Sequence, residues 1–157
     1  MGMINEVLKQ RIIECYKEYL GENLISIVLF GSRARGDARS DSDYDLFIVS
    51  TELPESPVDR VRFIRRPIVG KFEEKISIIA KTREEFQSHF PPLFLALSID
   101  GIVLYDKNYI TSLLAKIKKI IEAAGLRREY DGKEYYWIWR QRPASGWKLD
   151  WEGFRAF

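Results

Sequence analysis

The chain begins with a helical pattern of apolar residues and continues with three short apolar runs. Apolar residues recur at spacings of three and four over residues 4–20, which predicts an amphipathic helix that ends at Gly21. The three runs cover residues 24–30, 44–49 and 75–80, and turn residues separate them. Short runs of this kind are typical of buried strands, so we predict one sheet that contains all three.

Elsewhere in the first 125 residues the pattern returns to helical spacing. Four further helices are predicted, over residues 58–66, 82–90, 93–99 and 109–124. Helices and strands mixed in this order favour an α+β fold. We expect a short mixed β-sheet with the helices mainly on one face.

The last thirty residues differ in character from the rest of the chain. All four tryptophans lie after residue 136, and aromatic residues fill both faces of a predicted strand over residues 134–140. We therefore divide the chain into a domain over residues 1–125 and a hairpin-like aromatic C-terminal extension over residues 126–157, packed on it. The rings fit two interpretations, a part of the core or a binding interface, because tryptophan and tyrosine are enriched at interface hot spots. The pattern leaves both open.

Composition excludes several classes of protein. With 46% hydrophobic and 31% charged residues, the 157-residue chain suits one globular domain with a hydrophobic core. A net charge of +2 predicts no general affinity for nucleic acid, so we do not expect a nucleic-acid partner. The single cysteine, Cys15, excludes an internal disulfide framework. The sequence shows no apolar run of membrane-spanning length and no signal-peptide pattern, so we expect a cytoplasmic protein without a membrane partner.

Two carboxylates stand where the second predicted strand begins. Asp43 and Asp45 are two positions apart, and side chains alternate across a strand, so both point to the same face. Adjacent carboxylates repel each other, and a bound divalent cation would relieve that repulsion. Mg²⁺ commonly takes one or two protein carboxylates and completes its shell with water and substrate phosphate oxygens. Asp43 and Asp45 are therefore the predicted catalytic and metal-binding residues.

The turn after the first strand predicts a complementary site for phosphate. A glycine at position 31 lets the backbone approach a ligand closely, and a helix that opens after it would present free N–H groups. A serine hydroxyl and two arginines follow. The predicted nucleotide-binding residues are Gly31, Ser32, Arg33 and Arg35. Beside the metal site, they indicate metal-assisted phosphoryl or nucleotidyl transfer.

The arrangement of Gly31-Ser32, ten further residues and Asp43-x-Asp45 resembles the signature of the DNA polymerase β-type nucleotidyltransferase superfamily. The stretch FGSRARGDARSDSDYDLFIV is similar to its minimal nucleotidyltransferases, small proteins often paired with a HEPN-domain partner. The resemblance implies the nucleotidyltransferase fold, ATP as the nucleoside triphosphate substrate, and Mg²⁺ or Mn²⁺ as cofactor. It also implies transfer of AMP to an acceptor hydroxyl, a tyrosine of a HEPN-type partner protein, with this chain as the antitoxin.

One position departs from the pattern of the resembled family. The family usually carries a third carboxylate on the strand beside the Asp-x-Asp strand, and Ser77 stands there in this sequence. Serine cannot hold Mg²⁺ as a charged ligand, so two further hypotheses stay open. The first is a partner-binding module that keeps the fold with impaired catalysis, and the second is an enzyme that modifies a small molecule, as antibiotic-modifying relatives do. Each hypothesis is compatible with a homo-oligomer.

Overall fold

The computed structural model describes residues 4–144 and 146–157, so residues 1–3 of the predicted domain and Ser145 of the predicted extension lie outside the described residues. The elements in chain order are α1 (Glu6–Leu20), β1 (Leu24–Phe30), α2 (Ser32–Arg35), β2 (Tyr44–Ser50), α3 (Pro57–Arg65), β3 (Ile76–Thr82), α4 (Arg83–Ser88), α5 (Pro92–Asp100), β4 (Ile102–Asp106), α6 (Ile110–Ala124), β5 (Leu126–Tyr130), β6 (Tyr135–Trp139), β7 (Trp147–Asp150) and β8 (Gly153–Ala156). Every predicted helix and strand lies within two residues of these bounds. No helix in the described ranges is long and apolar enough to cross a membrane.

The central sheet has four strands in the order β3-β2-β1-β4. β2 is parallel to β3 and antiparallel to β1, and β4 pairs antiparallel with the other side of β1. This topology confirms the predicted mixed sheet with its three predicted strands. It also adds β4 beside β1, a strand that the sequence pattern does not predict.

Helices cover both faces of this sheet, which corrects the expectation that they lie mainly on one face. One buried cluster joins α1 and α3 to the sheet and includes Ile27 and Ile64. A second cluster joins α4, α5 and α6 to the opposite face and includes Phe47 and Phe94. The physical reason is that β1 and β2 are buried along most of their length, so the side chains on both of their faces need cover.

The aromatic residues of the C-terminal segment lie in two antiparallel hairpins, β5-β6 and β7-β8. Several partly buried rings pack against the cluster formed with α4, α5 and α6, namely Trp137, Trp139, Trp151 and Phe154. The sequence pattern does not predict β5, because its residues are mostly charged and Leu126 alone among them is buried. Pairing with β6 gives β5 its extended conformation.

An ion pair connects α3 to α4 beside the edge strand β3. The two terminal nitrogens of Arg60 donate to the Glu85 carboxylate at 2.8 and 3.0 Å, and its Nε donates to Pro54 O at 2.8 Å. The hydrogen bonds from Arg60 lower the pKa of Glu85 to about 2. Because the folded-state pKa lies below the ordinary value, the ionised carboxylate stabilises the fold at neutral pH. That contribution is lost as the pH falls through the ordinary value toward 2.

We predict that Glu85→Gln lowers the free energy of unfolding by about 1 kcal/mol at pH 7, because the pair is charged but partly exposed. The difference from wild type should shrink as the pH is lowered from 5 to 3. Urea unfolding at each pH measures both values. Glu84→Gln, at the exposed neighbouring position, is the control and should have little effect. A difference that does not change with pH would contradict this account of the ion pair.

Candidate active site

The turn after β1 brings the backbone of Gly31 against the side chain of Asp45. β1 and β2 pair with Phe30 opposite Asp45, so Gly31, the residue that follows β1, reaches the carboxylate. Gly31 has φ +73° and ψ −159°, angles that residues with a side chain rarely adopt. A Cβ built at this position would overlap Asp45 Oδ2. The turn therefore requires glycine both for its backbone angles and for its missing side chain.

The two predicted metal ligands lie together at the start of β2. Asp43 and Asp45 are both half-buried, and Tyr44 N between them donates to Lys75 O at 2.8 Å. Burial raises the pKa of Asp45, the negative charge of Asp43 raises it further, and the positive charge of Arg35 opposes both effects. The carboxylate pair is thus held in a repulsive arrangement that a cation would relieve.

Ser77 faces the carboxylate pair from the neighbouring strand. In the parallel register of β2 and β3, Ser77 is the partner of Asp45, and its hydroxyl donates to Asp43 Oδ2 at 2.6 Å. The structure therefore places Ser77 beside the two aspartates, as the alignment of strands in the sequence predicts. It supplies a hydrogen bond where a third carboxylate would supply a negative charge.

The short helix α2 begins at Ser32, directly after the glycine turn. No side chain in the described part of the chain caps its first turn, and the first N–H groups of a helix have no partner within the helix. Arg33 turns to the loop that leads into β2, where its guanidinium donates to Ser42 O at 3.1 and 3.3 Å and lies 4.5 Å from the ring centroid of Tyr44. Arg33 therefore holds the loop that carries Asp43.

Arg35 lies on the other side of α2. Its Nε donates to Asp37 Oδ2 at 3.2 Å, and its Nη1 is 3.8 Å from Asp100 Oδ2. Its guanidinium carbon lies 4.7 Å from the ring centroid of Tyr135. Because its charge also lowers the pKa of Asp45, Arg35 is the predicted nucleotide-binding arginine whose charge reaches the carboxylate pair.

The donor set at this position fits a divalent cation. Two half-buried carboxylates beside a glycine turn match the ligands that Mg²⁺ takes from a protein, with water and phosphate oxygens completing the shell. Within the described residues, no group of three or more acidic, histidine or cysteine side chains could hold a metal. A cleft of about 450 Å³ opens beside the pair, and its lining includes Asp43, Arg65, Glu74 and Ser77.

The sequence does not identify as site residues four residues that surround Arg35, namely Asp37, Asp100, Arg128 and Tyr135. The hydroxyl of Tyr135 donates to Asp37 Oδ2 at 2.9 Å across a separation of 98 residues. The aromatic pattern of β6 singles out its segment as unusual, but no local pattern indicates which distant residue it meets. The contact depends on how the β5-β6 hairpin folds back onto the domain.

Comparison with known proteins places this site within a described family. A model of the nucleotidyltransferase domain matches residues 9–131, a range that includes the glycine turn, both carboxylates and Ser77. A protein of Methanocaldococcus jannaschii, named as a candidate protein adenylyltransferase, is 33% identical over 125 residues. The aligned part covers 76% of this chain and 84% of that protein.

Two solved structures share the fold. A chain from a toxin–antitoxin structure with AMP-PNP superposes with a TM-score of 0.55 at 16% identity, over 73% of this chain and 87% of that chain. A chain from the complex of a tri-AMPylated Shewanella oneidensis HEPN toxin with an MNT antitoxin superposes with a TM-score of 0.52 at 15% identity, over 78% of this chain and 88% of that chain. The predicted nucleotidyltransferase fold is therefore confirmed.

We predict that Asp45→Asn stabilises the protein in the absence of divalent cations. The pKa of Asp45 is raised on folding, so the folded state binds a proton more tightly than the unfolded state does. The free energy of unfolding therefore falls as the pH rises from the ordinary pKa of an aspartate through the raised pKa of the folded state. Removing the charge should therefore raise the Tm at pH 7 by about 1–3 °C and leave it nearly unchanged below pH 4. Thermal unfolding in EDTA measures this.

The control for that experiment is Asp41→Asn, which removes an exposed carboxylate from the same loop and should leave the Tm nearly unchanged. If Asp45→Asn instead lowers the Tm at pH 7 in EDTA, the Asp45 carboxylate makes a stabilising contact in the metal-free protein, and the description of the pair as repulsive is wrong.

Proposed function

This chain belongs to the nucleotidyltransferase domain family, and from that premise we propose that it transfers AMP from ATP to a tyrosine hydroxyl of a HEPN-type partner protein. The family identifies the chain as a transferase, whereas the donor and the acceptor are our proposal. The observation that carries it is the pair of half-buried carboxylates, Asp43 and Asp45, with Asp45 held against the Gly31 turn.

The residues around the turn account for binding of the triphosphate. The uncapped N–H groups at the start of α2 and the Ser32 hydroxyl would bind the β- and γ-phosphates, since such groups donate readily to anions. Arg35 would neutralise charge near the α-phosphate, because its charge already reaches Asp45. Support for ATP comes from a neighbouring structure that contains AMP-PNP and from the relative named as an adenylyltransferase.

The transfer step is a displacement at the α-phosphorus. The tyrosine oxygen forms a bond to that phosphorus, the bond to pyrophosphate breaks with its electron pair leaving on pyrophosphate, and the phenolic proton passes to solvent water. A divalent cation held by Asp43 and Asp45 would stabilise the negative charge that develops on the phosphate oxygens. The cleft that opens beside Asp43 and Ser77 offers the acceptor a route to the reacting phosphate.

The acceptor is proposed from the solved neighbours. One of them is a complex in which a HEPN toxin carries AMP groups and an MNT antitoxin is bound to it. By analogy, this chain would act as the antitoxin that modifies a HEPN-type toxin.

A second candidate function is supported by Ser77. A serine that hydrogen-bonds Asp43 cannot add a third negative charge to the cation site, so turnover could be lost while the fold is kept. The chain would then inhibit a HEPN-type partner by binding it. The two candidates differ in one measurement, which is whether a nucleotide label is transferred to the partner.

We predict that the purified protein, incubated with α-labelled ATP, Mg²⁺ and a HEPN-type protein from the same organism, labels a tyrosine of that protein. The double variant Asp43→Asn, Asp45→Asn should lose transfer by about 100-fold or more, because it loses the negative charges that hold the cation. The exposed variant Asp41→Asn should retain transfer. A stable complex without label would instead favour the partner-binding function.

We also predict that Ser77→Asp binds Mg²⁺ or Mn²⁺ more tightly, by roughly three- to ten-fold, because it adds a third carboxylate within reach of Asp43. Transfer should be as fast as in wild type or faster. Calorimetric titration with Mn²⁺ and a nonhydrolysable nucleotide measures the affinity. Ser77→Asn, which is similar in size but uncharged, should not tighten binding, and an unchanged affinity in Ser77→Asp would contradict the placement of Ser77 at the cation site.

A further inference from the structure

We infer that the β5-β6 hairpin contributes to nucleotide binding, because its residues Tyr135 and Arg128 position Arg35 for the triphosphate. This inference rests on the proposed function, because it assigns Arg35 to the nucleotide. It goes beyond that function by adding a C-terminal element, and Tyr135 lies beyond the range that the family model matches, which ends at residue 131.

The guanidinium of Arg35 is held on several sides. Asp37 accepts a hydrogen bond from its Nε, Asp100 lies near its Nη1, and the ring of Tyr135 lies 4.7 Å from its central carbon. The hydrogen bond and the ion pair of this guanidinium involve Nε and Nη1. Together with the ring of Tyr135, these contacts fix the orientation of the Arg35 side chain.

The hairpin residues that contact Arg35 are themselves fixed. Arg128 of β5 donates to both oxygens of Asp100, at 2.5 and 2.7 Å, and the side chain of Asp100 is 7% exposed. The guanidinium carbon of Arg128 lies 4.5 Å from the ring centroid of Tyr135. The hydroxyl of Tyr135 donates to Asp37, the same carboxylate that accepts from Arg35. Tyr135 therefore contacts both arginines and, through Asp37, closes a ring of contacts around Arg35.

This geometry gives the hairpin a defined effect on binding. A free arginine loses side-chain entropy when it binds phosphate, and a guanidinium already held by its neighbours loses less. Removal of Tyr135 would take away one of the contacts that hold Arg35, and would weaken nucleotide binding without removing any group that touches the nucleotide. If the same contacts served merely to attach the hairpin to the domain, their loss would change stability and leave nucleotide affinity unchanged.

The test measures the dissociation constant of AMP-PNP with Mg²⁺ by calorimetry, together with the Tm. Tyr135→Ala should weaken binding by about three- to ten-fold, and Tyr135→Phe, which keeps the ring but loses the bond to Asp37, by about two-fold. Tyr136→Ala is the matched control on the same strand. Tyr136 is similarly exposed, at 43% against 37% for Tyr135, and faces the other side of β6, so its loss should not change affinity.

A double variant tests whether Tyr135 affects nucleotide affinity through Arg35 or through a general effect on the protein. Arg35→Ala should weaken binding by about ten-fold, and Tyr135→Ala added to it should change affinity by less than about two-fold, since there is no guanidinium left to position. The inference would be overturned if the effects of Arg35→Ala and Tyr135→Ala on the binding free energy were fully additive. It would also be overturned if Tyr135→Ala bound the nucleotide as tightly as Tyr136→Ala does. Either result would leave the proposed function standing. If Arg35→Ala binds as wild type does, the inference is wrong, while the assignment of Asp43 and Asp45 is unaffected. A wild-type protein that binds no nucleotide would overturn both proposals.

Discussion

The contact between Gly31 and the Asp45 carboxylate is the constraint on which the rest of the site depends. The carboxylate lies where any Cβ at residue 31 would be, and the pairing of Phe30 with Asp45 puts it there. A shift of one residue in this pairing would turn Asp45 toward the opposite face of the sheet. The register of β1 with β2 therefore determines both the position of the Asp45 carboxylate and the need for glycine at residue 31. The burial of β1 and β2 supplies the stability that holds two repelling charges together.

The parallel pairing of β2 with β3 adds a second constraint. Parallel neighbours need a crossover connection, and α3 provides it in this chain. Two arginines fasten that connection, Arg60 through Glu85 and Arg65 through a hydrogen bond of 2.8 Å to Ile76 O. The parallel register of β2 and β3 places the Ser77 hydroxyl beside Asp43.

The sequence predicts those parts of the molecule that local patterns determine. The apolar runs locate three of the four strands of the central sheet, and the alternation of side chains along a strand is enough to bring Asp43 and Asp45 to one face. The presence of helices on both faces of the sheet is harder to predict, because a continuous apolar run does not show which helix will lie on which face. A local sequence pattern also cannot predict that Arg33 and Arg35 make different contacts. One arginine meets the carbonyl oxygens of a nearby loop, and the other meets a tyrosine a hundred residues away.

The charges around the site bear on the form in which the proposed nucleotide would bind. Arg33, Arg35 and Arg128 bring three positive charges to this region, and four aspartates oppose them, namely Asp37, Asp43, Asp45 and Asp100. Arg128 is paired with Asp100, and Arg35, whose charge reaches Asp45, is shared between Asp37 and Asp100, so the arginines offset the carboxylate pair only in part. A triphosphate alone would still meet the negative charges of Asp43 and Asp45. With a divalent cation between the phosphates and Asp43 and Asp45, both sets of negative charge gain a partner, so the metal–nucleotide complex is the form that this arrangement of residues favours.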